Sequence, residues 1–391
     1  MKKSFSLIFA LLAFIITIGC LSGFSKGKAF ADYLLTMSSK SCYLADATTG
    51  TVVYKKNETQ KMPIASMCKI MTLLLCFESI DNDILKSDEI ISISKTASGM
   101  GGSQVFLEEN GKYPLYELIK SVVVASANDA SVAIAERISG SEELFVELMN
   151  NKAKELNMNN TCFTNCTGLP KAGQFSCAED VYKMFSELIK HEEYFKFSKI
   201  WTDVVIHPEN RKTEIANTNK LIRFYDGCDC GKTGYTSEAG HCLVASACKN
   251  GMRLISVVIN APDSRTRFKD VSTMFDFGFA NYVNKIIVDN REPLDIAVSV
   301  EGGKKHDLCT VAENSLFIFA HKKDKRSFEI NFIPTNTVKA PIYKGDKVGE
   351  LHIFENNIEI AVINVLANED ILCKTYFDII KDIQNNWALC N

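Results

Sequence analysis

The hydrophobic pattern of this chain changes period along its length, and a segment patterned for one period does not settle into the other. Residues 40–55 read as strand, turn, strand: Cys42-Tyr43-Leu44 and Thr51 to Tyr54 flank the turn-rich Asp46-Ala47-Thr48-Thr49-Gly50. After Pro63 the period becomes helical, over residues 65–80, 115–126, 130–138, 141–158 and 178–190. Short apolar strands return at 243–247 and 254–259, joined by Lys249-Asn250-Gly251, and a helix over about 267–282 closes this part. Strands that bracket a helical middle predict an α/β body with an inserted helical subdomain. From about Pro293 the chain turns to short alternating segments separated by Gly, Pro and Asn, such as 298–300, 317–319, 328–332 and 351–354. These predict a small all-β second domain over 293–375, after a first domain over 32–285. The length of 391 residues, 46% of them hydrophobic, suits two domains with sizeable cores.

The two ends read differently. Met1-Lys2-Lys3, an apolar run from Phe5 to about Leu21, and Ala29-Phe30-Ala31 predict a secretory signal peptide over residues 1–31. The alternatives are an uncleaved anchor, for which the run is near the lower limit of length, and a lipoprotein signal ending at Cys20, which Thr17-Ile18-Gly19 fits poorly. Cleavage after Ala31 removes four lysines and no acids. The body is therefore expected to be exported and extracytoplasmic, either secreted or held at the outer face of the cytoplasmic membrane. In the tail, 376–391, Phe377, Ile380, Ile383 and Trp387 fall at helical spacing. That short amphipathic helix either lies on a membrane surface or docks on the body; Asp378 and Asp382 beside Lys381 make its polar face less basic than a membrane helix usually carries. The net charge of −3 and the absence of a basic stripe exclude a nucleic-acid partner.

The chemistry starts at Ser66-Met67-Cys68-Lys69, just inside a helix that follows Pro63. Lys69, three residues on, shares the helix face of Ser66. A serine hydroxyl attacks a carbonyl only when a base takes its proton, and a lysine serves as that base only when burial or a neighbouring cation lowers its pKa. Alone, S-x-x-K is common by chance. Two further patterns follow: Ser126-Ala127-Asn128, in a loop between predicted helices, and Lys232-Thr233-Gly234, flanked by Gly231 and Tyr235. Gly231-Lys232-Thr233 is not a phosphate-binding P-loop, because residue 226 is Asp rather than the required Gly and no apolar strand leads into it.

In this order the three motifs resemble penicillin-binding proteins and serine β-lactamases, and their surroundings resemble the low-molecular-mass D-alanyl-D-alanine carboxypeptidases. The resemblance rests on residues 63–72, on Ser126-Ala127-Asn128-Asp129-Ala130, on Met149-Asn150, on 164–169, on 231–236 and on 239–247. It implies a β-lactamase/transpeptidase-like fold, an antiparallel sheet flanked by helices, with no cofactor and no metal. It also implies that Ser66 forms an acyl-enzyme with the terminal D-Ala-D-Ala of a peptidoglycan stem pentapeptide, with Lys69 as base and Ser126 as proton relay. By the same resemblance Asn128 orients Lys69 and holds the substrate amide, and Lys232, Thr233, Gly234 and Arg267 face the substrate and its carboxylate. The backbone N–H groups of Ser66 and Tyr235 form the oxyanion hole. β-Lactam antibiotics would acylate Ser66 in the same way. The chain departs from the pattern at Cys68, where threonine is usual, at Tyr235, where many relatives have histidine, and at His241, which is read as packing.

Three other functions share these motifs. A serine β-lactamase of class A places a glutamate in the loop after the second motif, and residues 162–174 contain no acid. A peptidoglycan endopeptidase is compatible with the motifs, and an inactive wall-binding module would not need all of them. The fourteen cysteines suggest either disulfides or metal. Cys228-x-Cys230 with His241-Cys242 lacks zinc-ligand spacing, and Cys68, Cys76 and Cys242 sit in apolar stretches like small core residues.

Overall fold

The computed structural model describes residues 35–335 and 337–388, so the signal-peptide expectation falls outside the described residues. The chain divides into two compact units, with the division between Gly278 and Phe279.

The first unit is built on a five-stranded antiparallel sheet. Its strands are β1 (Ser41–Asp46), β2 (Val52–Lys56), β3 (Cys228–Thr236), β4 (Gly240–Lys249) and β5 (Met252–Ala261), in the order β2-β1-β5-β4-β3. The sheet joins the two ends of this unit's sequence, so everything between Lys56 and Cys228 is one long insertion. Successive side chains of a strand point to opposite faces. Tyr43 and Ala45 belong to the large core shared with the helices, whereas Leu44 lies close to Gly278 on the opposite face. There a long helix, Ser264–Asn281, covers the sheet, with Asp270 accepting from both Ser39 N and Ser39 Oγ.

The insertion is the helical subdomain. Its centre is α1 (Lys69–Asp81), preceded by a tight 3₁₀ turn over Ala65–Cys68. α1 buries residues on every side, from Ile70 to Phe77, as a helix does when it runs through a core rather than over it. Each such aliphatic side chain contributes about 1.5–3 kcal/mol of burial. Around it lie α2 (Asn128–Ser139), α3 (Ala178–Leu188) and a helix over Glu142–Glu155 whose first turn is capped by Ser141. A hairpin, Thr202–Ile206 with Lys212–Ala216, has no counterpart in the sequence reading.

The second unit holds another five-stranded antiparallel sheet, made of Pro293–Ser299, Asp307–Ala312, Phe328–Pro334, Lys347–Glu355 and Ile358–Ala367. Val298, Leu308, Leu351, Ile353 and Val365 form its core. A separate pair, Tyr282–Val288 with Leu316–His321, adds a strand before Pro293 that the hydrophobic pattern did not mark. A terminal helix, Tyr376–Ala388, leaves Tyr376 and Phe377 largely exposed. Among the described residues no helix is long and apolar enough to cross a membrane.

Candidate active site

The three motifs come from three different elements and converge. Ser66 lies in the 3₁₀ turn, and Lys69 begins α1. The Lys69 ammonium is fully buried, and its Nζ lies 3.1 Å from Ser66 Oγ. Nζ also donates to Asn128 Oδ1 at 2.7 Å and to the Thr167 carbonyl at 2.5 Å. Burial pushes the Lys69 pKa down to about 8, against the weaker opposing influence of Cys68, Cys166 and Asp129.

Ser126 and Asn128 are placed by a break in a helix. Leu115–Lys120 widens into a π turn over Ser121–Ala125, and Ser126 ends it in a left-handed conformation, φ 61°. Non-glycine residues adopt this conformation only where the surroundings hold them there. Asn128 then opens α2. Its side chain is locked at both ends: Oδ1 accepts from Lys69, and Nδ2 donates to the Gly101 carbonyl at 2.6 Å.

The third motif lies within strand β3, not at a polar strand end. The segment Cys228–Thr236 is rich in Cys, Gly and Thr, so hydropathy did not reveal a strand there. Lys232 is buried and donates to Ser126 Oγ at 2.6 Å, tying β3 to the second motif. Burial lowers its pKa well below the usual lysine range, and the positive charges of Lys69 and Arg267 add to that shift. Thr233 is also buried. A Cβ on Gly234 would lie 2.6 Å from the Ile64 carbonyl and 3.3 Å from Ser66 N, so its bare backbone lets β3 close against the nucleophile turn. Tyr235 is exposed and stacks on His241, with ring centroids 4.4 Å apart. Arg267 is 9% exposed and donates from Nη1 to the carbonyls of Gly234 (3.1 Å) and Cys242 (3.3 Å). Arg267 thus rests on buried backbone carbonyls and not in a surface salt bridge.

A family model described as D-alanyl-D-alanine carboxypeptidase matches residues 28–263. The chain belongs to this family. A second model, described as the C-terminal domain of penicillin-binding protein 5, matches residues 284–372. D-alanyl-D-alanine carboxypeptidase DacF of Bacillus subtilis is 38% identical over 368 residues, 94% of each chain. Among solved structures, penicillin binding protein 5 of Haemophilus influenzae superposes with a TM-score of 0.67 at 27% identity, covering 86% of this chain and 98% of that one. Penicillin-binding protein D2 of Listeria monocytogenes, solved in its ampicillin-bound form, gives a TM-score of 0.56 at 30% identity and covers 63% of this chain and 99% of that one. These likenesses fix the fold as the penicillin-binding type, a sheet flanked by helices with a β-rich C-terminal domain, as the sequence motifs imply.

Within this family frame the structure adds residues that the motifs did not name. Thr167 supplies Lys69 with a backbone carbonyl, and the loop carrying it is held from inside. Asn165 Oδ1 accepts from the N–H groups of Thr167 and Gly168, Gln174 Oε1 accepts from Thr164 N and Asn165 N, and Glu142 Oε1 accepts from Cys166 N. Residues 164–169 were singled out only as a family landmark; their physical role had no signal in sequence. Asp129, beside Asn128, is completely buried and accepts from Val105 N, Leu107 N and Ala130 N. It thereby fixes the segment whose Gly101 carbonyl holds Asn128. Among the described residues no group of His, Cys, Asp and Glu is placed to bind a metal ion. Cys228 and Cys230 lie on β3 and are buried, as are Cys68, Cys76 and Cys242.

Proposed function

We propose that this chain is a serine D-Ala-D-Ala carboxypeptidase that removes the terminal D-alanine from peptidoglycan pentapeptide at Ser66. The observation that carries this reading is the position of Lys69 Nζ. It faces Ser66 Oγ, it is buried, none of its hydrogen-bond partners among the described residues is a carboxylate, and its pKa falls to about 8. It is thus a base near neutral pH that can take the Ser66 proton as the hydroxyl attacks the carbonyl of the fourth residue. Negative charge gathers on that carbonyl oxygen, which the N–H groups of Ser66 and Tyr235 receive. Ser126, hydrogen-bonded to Lys232, passes a proton to the departing amine of D-alanine. Asn128 keeps Lys69 in register and offers its amide to the substrate backbone. Thr233 and the positive field of Lys232 and Arg267 hold the terminal carboxylate. Water then releases the acyl group and restores Ser66.

A β-lactam presents the same carbonyl next to a carboxylate and acylates Ser66 by the same route. The loop over 162–174 has no acidic side chain to activate water against the adduct, so the adduct is long-lived and the β-lactamase reading is not supported. The enzyme works outside the cytoplasmic membrane, and the exposed Tyr376 and Phe377 of the terminal helix are its contact with the membrane surface.

The test is incubation of the purified protein with muramyl pentapeptide, followed by mass spectrometry. Loss of one alanine by the wild type and not by Ser66→Ala is the expected result. Unchanged pentapeptide after incubation with a wild type that is folded and labels with penicillin overturns it.

A further inference from the structure

A sheet whose neighbouring strands are all antiparallel closes on itself only with an even number of strands. The sheet of the second unit has five. Pro293–Ser299 forms one edge and Phe328–Pro334 the other, with Asp307–Ala312, Ile358–Ala367 and Lys347–Glu355 between them. Each neighbouring pair is antiparallel, so the two edge strands run the same way. Two cavities lie between those edges. One, of about 380 Å³, is walled by Leu294 and Ile296 from the first edge and by Ile330 and Phe332 from the second. The other, of about 400 Å³, is walled by Val298 and Ser299 and by Phe332 and Pro334. Phe332 lines both, so the cavities form one seam along the edges.

The side chains show that the seam is open. Ile330 stands opposite Ile353 and shares its face of the sheet. Ile353 is fully buried, whereas Ile330 is 45% exposed, because no strand flanks it on the seam side. The Phe328–Pro334 strand pairs in regular register from end to end. Its stretch Phe328–Ile333 holds neither lysine nor proline, two guards that an edge facing water normally carries. On the opposite edge the register slips between Leu294 and Val298, which releases backbone groups of Asp295–Ala297 from the ladder. Unpaired backbone along an apolar seam is a template for another strand.

Charge and direction say which strand fits. Asp289, Glu292 and Asp295 line the first cavity, and no basic residue lines it. Arg291 is bound to Asp289 at 2.6 Å, one base against three acids. At the second cavity the lining acid, Glu301, faces Lys339 at 3.9 Å. Both edges run from the first cavity to the second. A strand antiparallel to both therefore runs the other way and ends over Glu292 and Asp295.

We propose that this seam takes a sixth strand from a partner protein, an extended segment of about six residues antiparallel to both edges. Its side chains are apolar at alternate positions, to fill the two cavities, and it carries lysine or arginine at its C-terminal end. Ladder hydrogen bonds supply the affinity, and the acidic end of the seam fixes the direction. The seam lies wholly in the second unit, and none of its residues takes part in the chemistry at Ser66.

The experiment uses the full chain and a dye-labelled peptide, Val-Thr-Val-Thr-Leu-Lys-Lys, read by fluorescence anisotropy. A short strand that must be ordered on binding has an expected Kd on the order of 50 μM. The reversed peptide, Lys-Lys-Leu-Thr-Val-Thr-Val, and a version with glutamate in place of both lysines should each bind at least tenfold more weakly. Ile330→Lys should weaken the first peptide at least tenfold with Tm unchanged, since that side chain is already exposed. Glu292→Lys with Asp295→Lys should turn the preference towards the glutamate peptide. Hydrogen exchange followed by mass spectrometry should show protection at 294–299 and 328–333 when the first peptide is added. No binding up to ~1 mM overturns the proposal, as does equal binding of the reversed peptide or native binding by Ile330→Lys. Protection of both edges that grows with protein concentration in the absence of peptide also overturns it, and gives the seam to a second copy of this chain.

Discussion

Gly168 and Ala65 meet backbone to backbone: a Cβ on Gly168 would lie 2.0 Å from the Ala65 carbonyl oxygen and 2.9 Å from Ser66 N. Gly168 also has φ +82°, where an L side chain is strained. The loop that supplies the Thr167 carbonyl to Lys69 therefore rests directly on the nucleophile turn. Gly168→Ala is expected to cost about 2 kcal/mol or more, because neither wall of the contact is a flexible side chain. It should also slow penicillin acylation of Ser66 at least tenfold, by moving Thr167 away from Lys69. Thermal unfolding and stopped-flow labelling measure the two effects. Native stability with native acylation would mean that the loop and the turn are not coupled.

The pKa of Lys69 sets a pH profile with a definite sign. Its buried ammonium is lowered to about 8, and only the neutral amine accepts the Ser66 proton. The acylation rate should therefore rise with pH, reach half its maximum near 8 and level off above. Below that midpoint the rate falls tenfold per pH unit while Lys69 is protonated. Penicillin acylation under pseudo-first-order conditions from pH 6 to 10 reads this directly. A rate that is flat from pH 6 to 9 would remove Lys69 as the base.

Asp129 makes a different prediction, because it touches no reacting atom. Its buried carboxylate accepts from three backbone N–H groups, at 2.9 to 3.1 Å in the closest contacts. Burial raises its pKa, and those hydrogen bonds oppose the rise. Asp129→Ala leaves Val105 N and Leu107 N buried without acceptors, at about 1–3 kcal/mol each. It also frees the Gly101 carbonyl from its place at Asn128 Nδ2. The expected result is a lower Tm and a fall in kcat larger than the change in KM. Asp129→Asn, which keeps one carbonyl oxygen, should recover part of both. A variant that loses stability but keeps kcat would assign Asp129 to the fold alone.

What could be read from sequence here was side-chain chemistry at fixed spacing. Ser66 and Lys69 are one turn apart, and Ser126 and Asn128 sit where a helix breaks, so spacing and residue type indicated their elements, while their roles came only from the resemblance of the three motifs to the carboxypeptidases. The backbone contributions did not announce themselves. Any residue at position 167 would present a carbonyl to Lys69, and the Gly101 carbonyl at Asn128 is equally silent. The strand carrying Lys232 was hidden for a related reason. Cys228–Thr236 is buried through its pairing with β4 rather than through large apolar side chains, so its composition reads as polar. The Thr202–Ile206 and Lys212–Ala216 hairpin carries alternating residues of mixed polarity, and its fixed points are tertiary: His207 bonds Tyr113, and Arg211 bonds the Phe106 carbonyl. Contacts of that range leave no local pattern.

The cysteines give the last prediction. All twelve in the described residues are free thiols, eight of them buried. Cys68 is completely buried, and its Sγ donates to the Asn165 carbonyl at 3.2 Å. Burial pushes its pKa up to about 12, and Cys42, Cys76 and Cys228 are raised to about the same level for the same reason. Thiol reagents attack the thiolate, which these residues scarcely populate at neutral pH. Cys373 is exposed. In native protein, a chromogenic disulfide reagent should therefore modify Cys373 first and leave Cys68 and Cys166 unmodified, with penicillin labelling of Ser66 intact. Unfolding in denaturant should then release the buried thiols in a second, fast phase. Peptide mapping identifies which residues react in each phase. A disulfide found between any two of the twelve, or early modification of Cys68 with loss of labelling, would show that these thiols do more than fill the core.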